Sequence, residues 1–280
     1  LKKLVIIIVV VLVASFIVLT YFGLRYSRGV PVVIEEPAKP VVLNVRCLEK
    51  EIDLDEDISI PIWETIKPTE VKLMHQVTVL PWPKTHIPGL VVKAFHNKKD
   101  IYFYLSWEDS TEDRVMDLEK FTDACAIMFP LGEDIKPHTI MMGFMAKSNI
   151  WQWKATQDRE YWLKQASVTQ LSTDSRPPFE EKEPFVVSRD IPKSAVNDLM
   201  AIRVGTVTIK DEQNIQGRGI WDNGRWQVVI KRSIEASNPD EDVVFKLGEK
   251  RLCAFAVWNG SQGDRGGRKS ISDWVELKLE

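Results

Sequence analysis

At 280 residues, with 44% hydrophobic side chains and a net charge of −3, the chain is long enough to bury a sizeable core and carries no excess charge for gripping a polyanion. No Lys/Arg-rich block or nucleic-acid signature occurs, so nucleic acid is excluded as a partner. The three cysteines, Cys47, Cys125 and Cys253, lie too far apart for a Cys-x-x-Cys metal site or a Cys-x-x-Cys-His attachment. Cys125 and Cys253 fall in apolar strand patterns and read as buried, inert thiols.

The elements follow in chain order. Residues 4–24 form an almost unbroken apolar run after Lys2 and Lys3, long enough to cross a bilayer and without a small-x-small cleavage site behind it. The run predicts an uncleaved transmembrane anchor over 1–24, with the N-terminus cytoplasmic and the body exported. Three prolines and Glu35-Glu36 make 25–40 an extended linker. From residue 41, short apolar or alternating runs bounded by turn residues predict strands at 41–46, 71–79, 89–96, 100–107, 124–129, 139–142, 150–154, 202–210, 225–231, 252–258 and 272–278. The Asn97-Lys98-Lys99-Asp100 turn joins two of them as a hairpin. Regular strand spacing with few helical stretches predicts a mainly β domain over 41–280, an antiparallel β-sandwich with few short helices. Residues 156–219 break the pattern, with a helix predicted over 158–169 and a charged, proline-containing stretch over 172–184. They read as an insertion lying over the sandwich, either a solvated loop or a contact surface for another subunit.

No nucleophile elbow, P-loop, zincin motif or dinucleotide fingerprint is present, so hydrolase and transferase chemistry have no carrier here. Gly263, Gly266 and Gly267 lead into a strand, not a helix, so they do not form a phosphate cradle. The four histidines, His75, His86, His96 and His138, show no metal-ligand spacing. Asp109 and Asp123 read as turn-bonding residues. The ten tryptophans suit an aromatic core, and a few of them suit the wall of a flat ligand.

Six ordered segments together carry a family resemblance: 100–111 (DIYFYLSWEDST), 121–130 (FTDACAIMFP), Met141-Met142-Gly143, 149–155 (NIWQWKA), 224–232 (GRWQVVIKR) and 258–274 (WNGSQGDRGGRKSISDW). The set resembles the heme-b-binding gamma subunits of ethylbenzene dehydrogenase, dimethylsulfide dehydrogenase, chlorate reductase and their nitrite/nitrate oxidoreductase relatives. The resemblance implies a non-covalent heme b held by a methionine and a lysine, which map onto Met142 and Lys269, with Met141 as the competitor for the first role. It also implies an electron relay in a membrane-associated complex. The partners would be an iron-sulfur beta subunit, a molybdenum catalytic alpha subunit, and a soluble cytochrome or other carrier on the periplasmic side.

The residue types suit that implication. A thioether is a soft, neutral donor, and a lysine ligates only as the free amine, which burial favours. Arginine does not lose its proton, so Lys269 rather than Arg268 is the candidate ligand. Alternation places Arg268 opposite Lys269, leaving Arg268 or Arg265 to face a propionate. Trp151 and Trp153 share one strand face and either wall the pocket or fill the core. The alternative function is a heme-free structural or assembly subunit with the same sandwich, and a carbohydrate-binding sandwich is a third reading.

Overall fold

The computed structural model describes residues 41–56, 58–77, 80, 82, 85–132, 147–171, 192–202 and 205–280. The predicted anchor, the linker, the strand at 139–142 and the stretch 172–184 lie outside them. Among the described residues, no helix is long and apolar enough to cross a membrane.

Among the described residues thirteen strands build the domain: β1 (Val41–Cys47), β2 (Thr69–His75), β3 (Gly89–His96), β4 (Asp100–Glu108), β5 (Ala124–Pro130), β6 (Ser148–Lys154), β7 (Val196–Ala201), β8 (Thr208–Ile209), β9 (Gln216–Asp222), β10 (Arg225–Ser233), β11 (Lys250–Trp258), β12 (Ser270–Ser272) and β13 (Val275–Leu279). The helices are α1 (Ile62–Thr65) and α2 (Ala155–Leu171). One layer runs β8-β7-β6-β5-β11 and the other β2-β3-β4-β10-β9. β11 forks at their junction. Its first half pairs with β13 and its second half with β12, and these continue into β1 and β2 of the other layer. Pairing is antiparallel except where β1 runs parallel to β13 and β3. The predicted mainly β, antiparallel architecture is thus observed.

The core lies between the layers. Phe103, Leu105 and Trp107 of β4 and Trp226, Val228 and Ile230 of β10 meet Cys125, Ile127 and Phe129 of β5, Trp151 and Trp153 of β6, and Phe255 of β11. The second layer is covered on its other side as well. Ile52, Leu54, Ile58, Trp63 and Ile66 pack there on Phe95, Tyr102 and Val229. The first layer also buries both faces, and all seven residues of β5 are buried. Burial on both faces explains why β5 reads as a continuous apolar run and not as an alternation.

Several boundaries differ from expectation for identifiable reasons. The segment read as an insertion supplies β7, which pairs with β6 from Trp153↔Val196 to Ser148↔Ala201, so it extends the sheet. The strand predicted over 202–210 is broken near Gly205, whose φ of 81° turns the chain between β7 and β8. β9 escapes prediction because Gly217 and Gly219 mimic loop residues. A Cβ on Gly219 would sit 2.2 Å from the Trp153 ring, so glycine here marks close packing. The run over 272–278 is cut at Asp273-Trp274, where the chain leaves β2 for β1. The hairpin at Asn97 forms as expected, with Asn97 Oδ1 accepting from the N–H groups of Lys99 and Asp100.

Candidate cofactor site

A loop fixed at several points delivers Lys269. After Trp258, Asn259 caps the 3-10 turn Gly260–Gln262 through its side-chain oxygen. The N–H of Gly260 donates to Asp123 Oδ1 at 2.8 Å, and a Cβ on Gly260 would lie 2.0 Å from the Phe121 carbonyl oxygen. Arg265 and Arg268 then pair across Gly266, at φ 54°, while Trp258 Nε1 donates to the Gly266 carbonyl. The Lys269 carbonyl finally accepts from the Gln76 N–H at 2.9 Å. Each tie removes freedom from the backbone that positions the amine.

The Lys269 side chain is 8% exposed, and its Nζ stands 4.6 Å from the Trp258 ring centroid. Among the described residues, no carboxylate faces it. Burial alone pushes the amine down from 10.5 to about 7, so a free lone pair is available near neutral pH. Lys210 shows the opposite outcome. Burial also works to lower it, but hydrogen bonds from Asp242 and Asp198 outweigh that effect and raise it.

Around Lys269 the outer face of the first layer is built from small side chains. Ala254, Ala256 and Trp258 of β11 stand in register with Met128, Ala126 and Ala124 of β5, and Ile150 of β6 and Leu199 and Ala201 of β7 extend the same cluster. Ile271 pairs with Ala256 and joins this face, and Lys269, two residues earlier, follows its direction. The result is a flat apolar floor with an amine at one end. The alternating alanines of β5 and β11 were visible in sequence, but their side-by-side register was not.

The predicted site residues separate on this frame. Met141 and Met142 lie outside the described residues. Of the two roles read for Trp151 and Trp153, the structure places them as core: they are fully buried on the inner face, opposite the alanine floor, because strand alternation sends Ile150, Gln152 and Lys154 outward instead. Trp151 Nε1 donates to Asn149 Oδ1 and Trp153 Nε1 to Asp158 Oδ1, so both are satisfied core residues. Arg265 is exposed, with its guanidinium 4.5 Å from the Phe121 ring centroid. Arg268 is half-buried and interacts with the charge of Asp264.

Asp109 and Asp123 bond turns as expected. Asp109 Oδ1 accepts from the Thr111 N–H, and Asp123 Oδ2 accepts from the Asp113 N–H and Trp226 Nε1. Burial, helped by the nearby Asp109, raises the Asp123 carboxyl to about 7. Cys125 and Cys253 are fully buried, and burial raises both thiols, so they are inert. His75 and His86 come together edge to face with ring centroids 5.8 Å apart. Rings in mutual contact do not flank the two sides of one porphyrin. Among the described residues, no group of three or more His, Cys, Asp or Glu side chains could hold a metal ion.

Comparison with known proteins agrees with the segments quoted from the sequence. Residues 60–270 match the family model described as ethylbenzene dehydrogenase. A protein of Haloferax mediterranei described as a respiratory nitrate reductase heme subunit is 27% identical over 217 residues, 77% of this chain and 65% of that protein. The dimethylsulfide dehydrogenase subunit gamma of Rhodovulum sulfidophilum is 28% identical over 199 residues, 68% of this chain and 60% of that protein. The chain therefore spans less than two thirds of the length of these relatives. Among solved structures, a carbohydrate-binding protein of Bacteroides uniformis is similar with a TM-score of 0.44 at 8% identity, covering 86% of this chain and 100% of that one, too distant to support an inference.

Proposed function

Because the chain belongs to the ethylbenzene dehydrogenase family, we propose that it is the heme b subunit of a molybdenum oxidoreductase complex and relays single electrons. The observation that carries this reading is Lys269: a buried amine with no counter-charge, lowered to about 7, at the edge of an alanine floor. An unpaired buried amine is costly and is retained where a partner arrives to use it. The flat floor suits a planar apolar ring, and the free amine suits its iron. Heme supplies reversible one-electron oxidation of that iron, with no bond made or broken in the protein.

The chain's own residues account for the rest. Lys269, as the neutral amine, and Met142, with Met141 as its alternative, would supply the donors that hold the iron. The ties at Asn259, Gly260 and Gly266 hold the lysine backbone still between redox states, which lowers the reorganisation needed for transfer. Trp258 and the alanines exclude water, and exclusion of water keeps the amine unprotonated. The reading extends to an anchor over 1–24 with an exoplasmic body, an iron-sulfur beta subunit and a molybdenum alpha subunit as partners, and a soluble cytochrome or other carrier as the outer redox partner. The family match over residues 60–270 and the descriptions of the relatives as a heme subunit and a gamma subunit support the heme and complex parts of this reading.

Purified protein is expected to show a Soret band and to yield heme b on pyridine extraction. Lys269→Ala and Met142→Ala should each change the low-spin spectrum. Absence of heme in the folded, reconstituted chain would favour the assembly-subunit reading, and unaltered spectra in both variants would move the ligands elsewhere.

A further inference from the structure

A second lysine, half-buried, borders the alanine floor. Lys154, the last residue of β6, pairs with Ala124 of β5, which pairs in turn with Trp258 of β11. The row Lys154–Ala124–Trp258 therefore crosses the outer face, and Lys269 stands over its far end. With neighbouring strands about 4.8 Å apart, the Lys154 and Trp258 backbones are about 10 Å apart, a span within the combined reach of a porphyrin ring, its propionate arm and a lysine side chain. Only the methyl of Ala124 stands between them.

Other well-covered lysines have partners. Lys210 meets Asp198 and Asp242, Lys231 meets Asp100 and Glu51, and Lys93 donates to the Trp63 carbonyl. Among the described residues the Lys154 side chain has no hydrogen-bond or ion-pair partner, and burial alone lowers its affinity for a proton. An ammonium in that position lacks an anion. The arginines of the same loop are engaged elsewhere: Arg265 packs over Phe121, and Arg268 interacts with the charge of Asp264.

We propose that Lys154 is the anion anchor of this site, its ammonium pairing with a heme propionate carboxylate and so fixing which edge of the ring points towards β6. The proposal rests on the heme reading above and adds the orientation of the ring. It requires no covalent step. Lys154 is a positioning residue, since it acts on the ring's periphery and leaves the iron to Lys269.

The test uses the full chain reconstituted with heme or with heme dimethyl ester, in which both carboxylates are blocked. Transfer of heme to apomyoglobin should be about ten- to a hundredfold faster from Lys154→Met than from the unaltered protein, as loss of one charge-assisted bond implies. The ester should leave the unaltered protein comparably fast, and Lys154→Met should scarcely distinguish heme from its ester. The low-spin spectrum from Lys269 should persist, the reduction potential should fall as a cation is lost, and Lys154→Arg should restore retention. If Lys154→Met does not fold, the ester on the unaltered protein and on Lys154→Arg decides the point. Equal release of heme and ester from the unaltered protein overturns the anchor while leaving heme binding intact. Failure of the unaltered chain to bind heme at all overturns the parent reading and the anchor with it.

Discussion

The two faces of the layer formed by β5, β6 and β11 differ as if they belonged to different proteins. The inner face carries Phe129, Trp151, Trp153 and Phe255, ring against ring, with the Trp151 and Trp153 indole N–H groups bonded to Asn149 and Asp158. The outer face carries Ala124, Ala126, Ala254 and Ala256, with Lys154 and Lys269 lacking any carboxylate. The inner face is complete in itself. The outer face leaves its amines without a matching charge among the described residues, which is the difference expected between a core and a surface that holds a ligand under the reading proposed above.

The contrast can be broken at several points. Trp153→Ala should cost about 3–5 kcal/mol of unfolding free energy through loss of a fully buried ring, read by urea denaturation; a cost below about 1 kcal/mol would mean that the inner face is not the structural one. Gly219→Ala should cost about 1–3 kcal/mol, because its methyl would meet the Trp153 ring that now lies against Gly219, and the same denaturation curve checks it. On the outer face Ala126 is buried as well, so Ala126→Leu should cost about 1–3 kcal/mol of apoprotein stability and also reduce heme uptake at least tenfold in a Soret titration, a loss that Gly219→Ala at a similar cost should not reproduce.

The last effect is graded with pH. The Lys269 amine sits at about 7 in the folded protein against 10.5 ordinarily, so the folded state binds fewer protons between these values. Its contribution to apoprotein stability is present above 10.5 and lost as pH falls through about 7. The slope is on the order of 1 kcal/mol per pH unit across that window, and Lys269→Met should flatten it. A variant with the unaltered slope would place the lysine in water.

Much of the sandwich was legible in the sequence. β3, β5 and β10 are apolar runs bounded by turn residues, and local pattern suffices for them even though β5 pairs with the distant β11 and β10 with the distant β4. β9 was hidden because Gly217 and Gly219 answer to Trp153 and Val196, contacts made across the fold. The sequence by itself determined the mainly β class, the inert cysteines and Lys269 as a lysine delivered by a glycine-rich loop. Only the tertiary structure decided that Trp151 and Trp153 face the core, that alanines from two distant strands make one floor, and that Lys154 shares it with Lys269. Alternation along a strand places residues on two faces, but which face is core is set by the layer packed against it, and local periodicity carries no record of that layer.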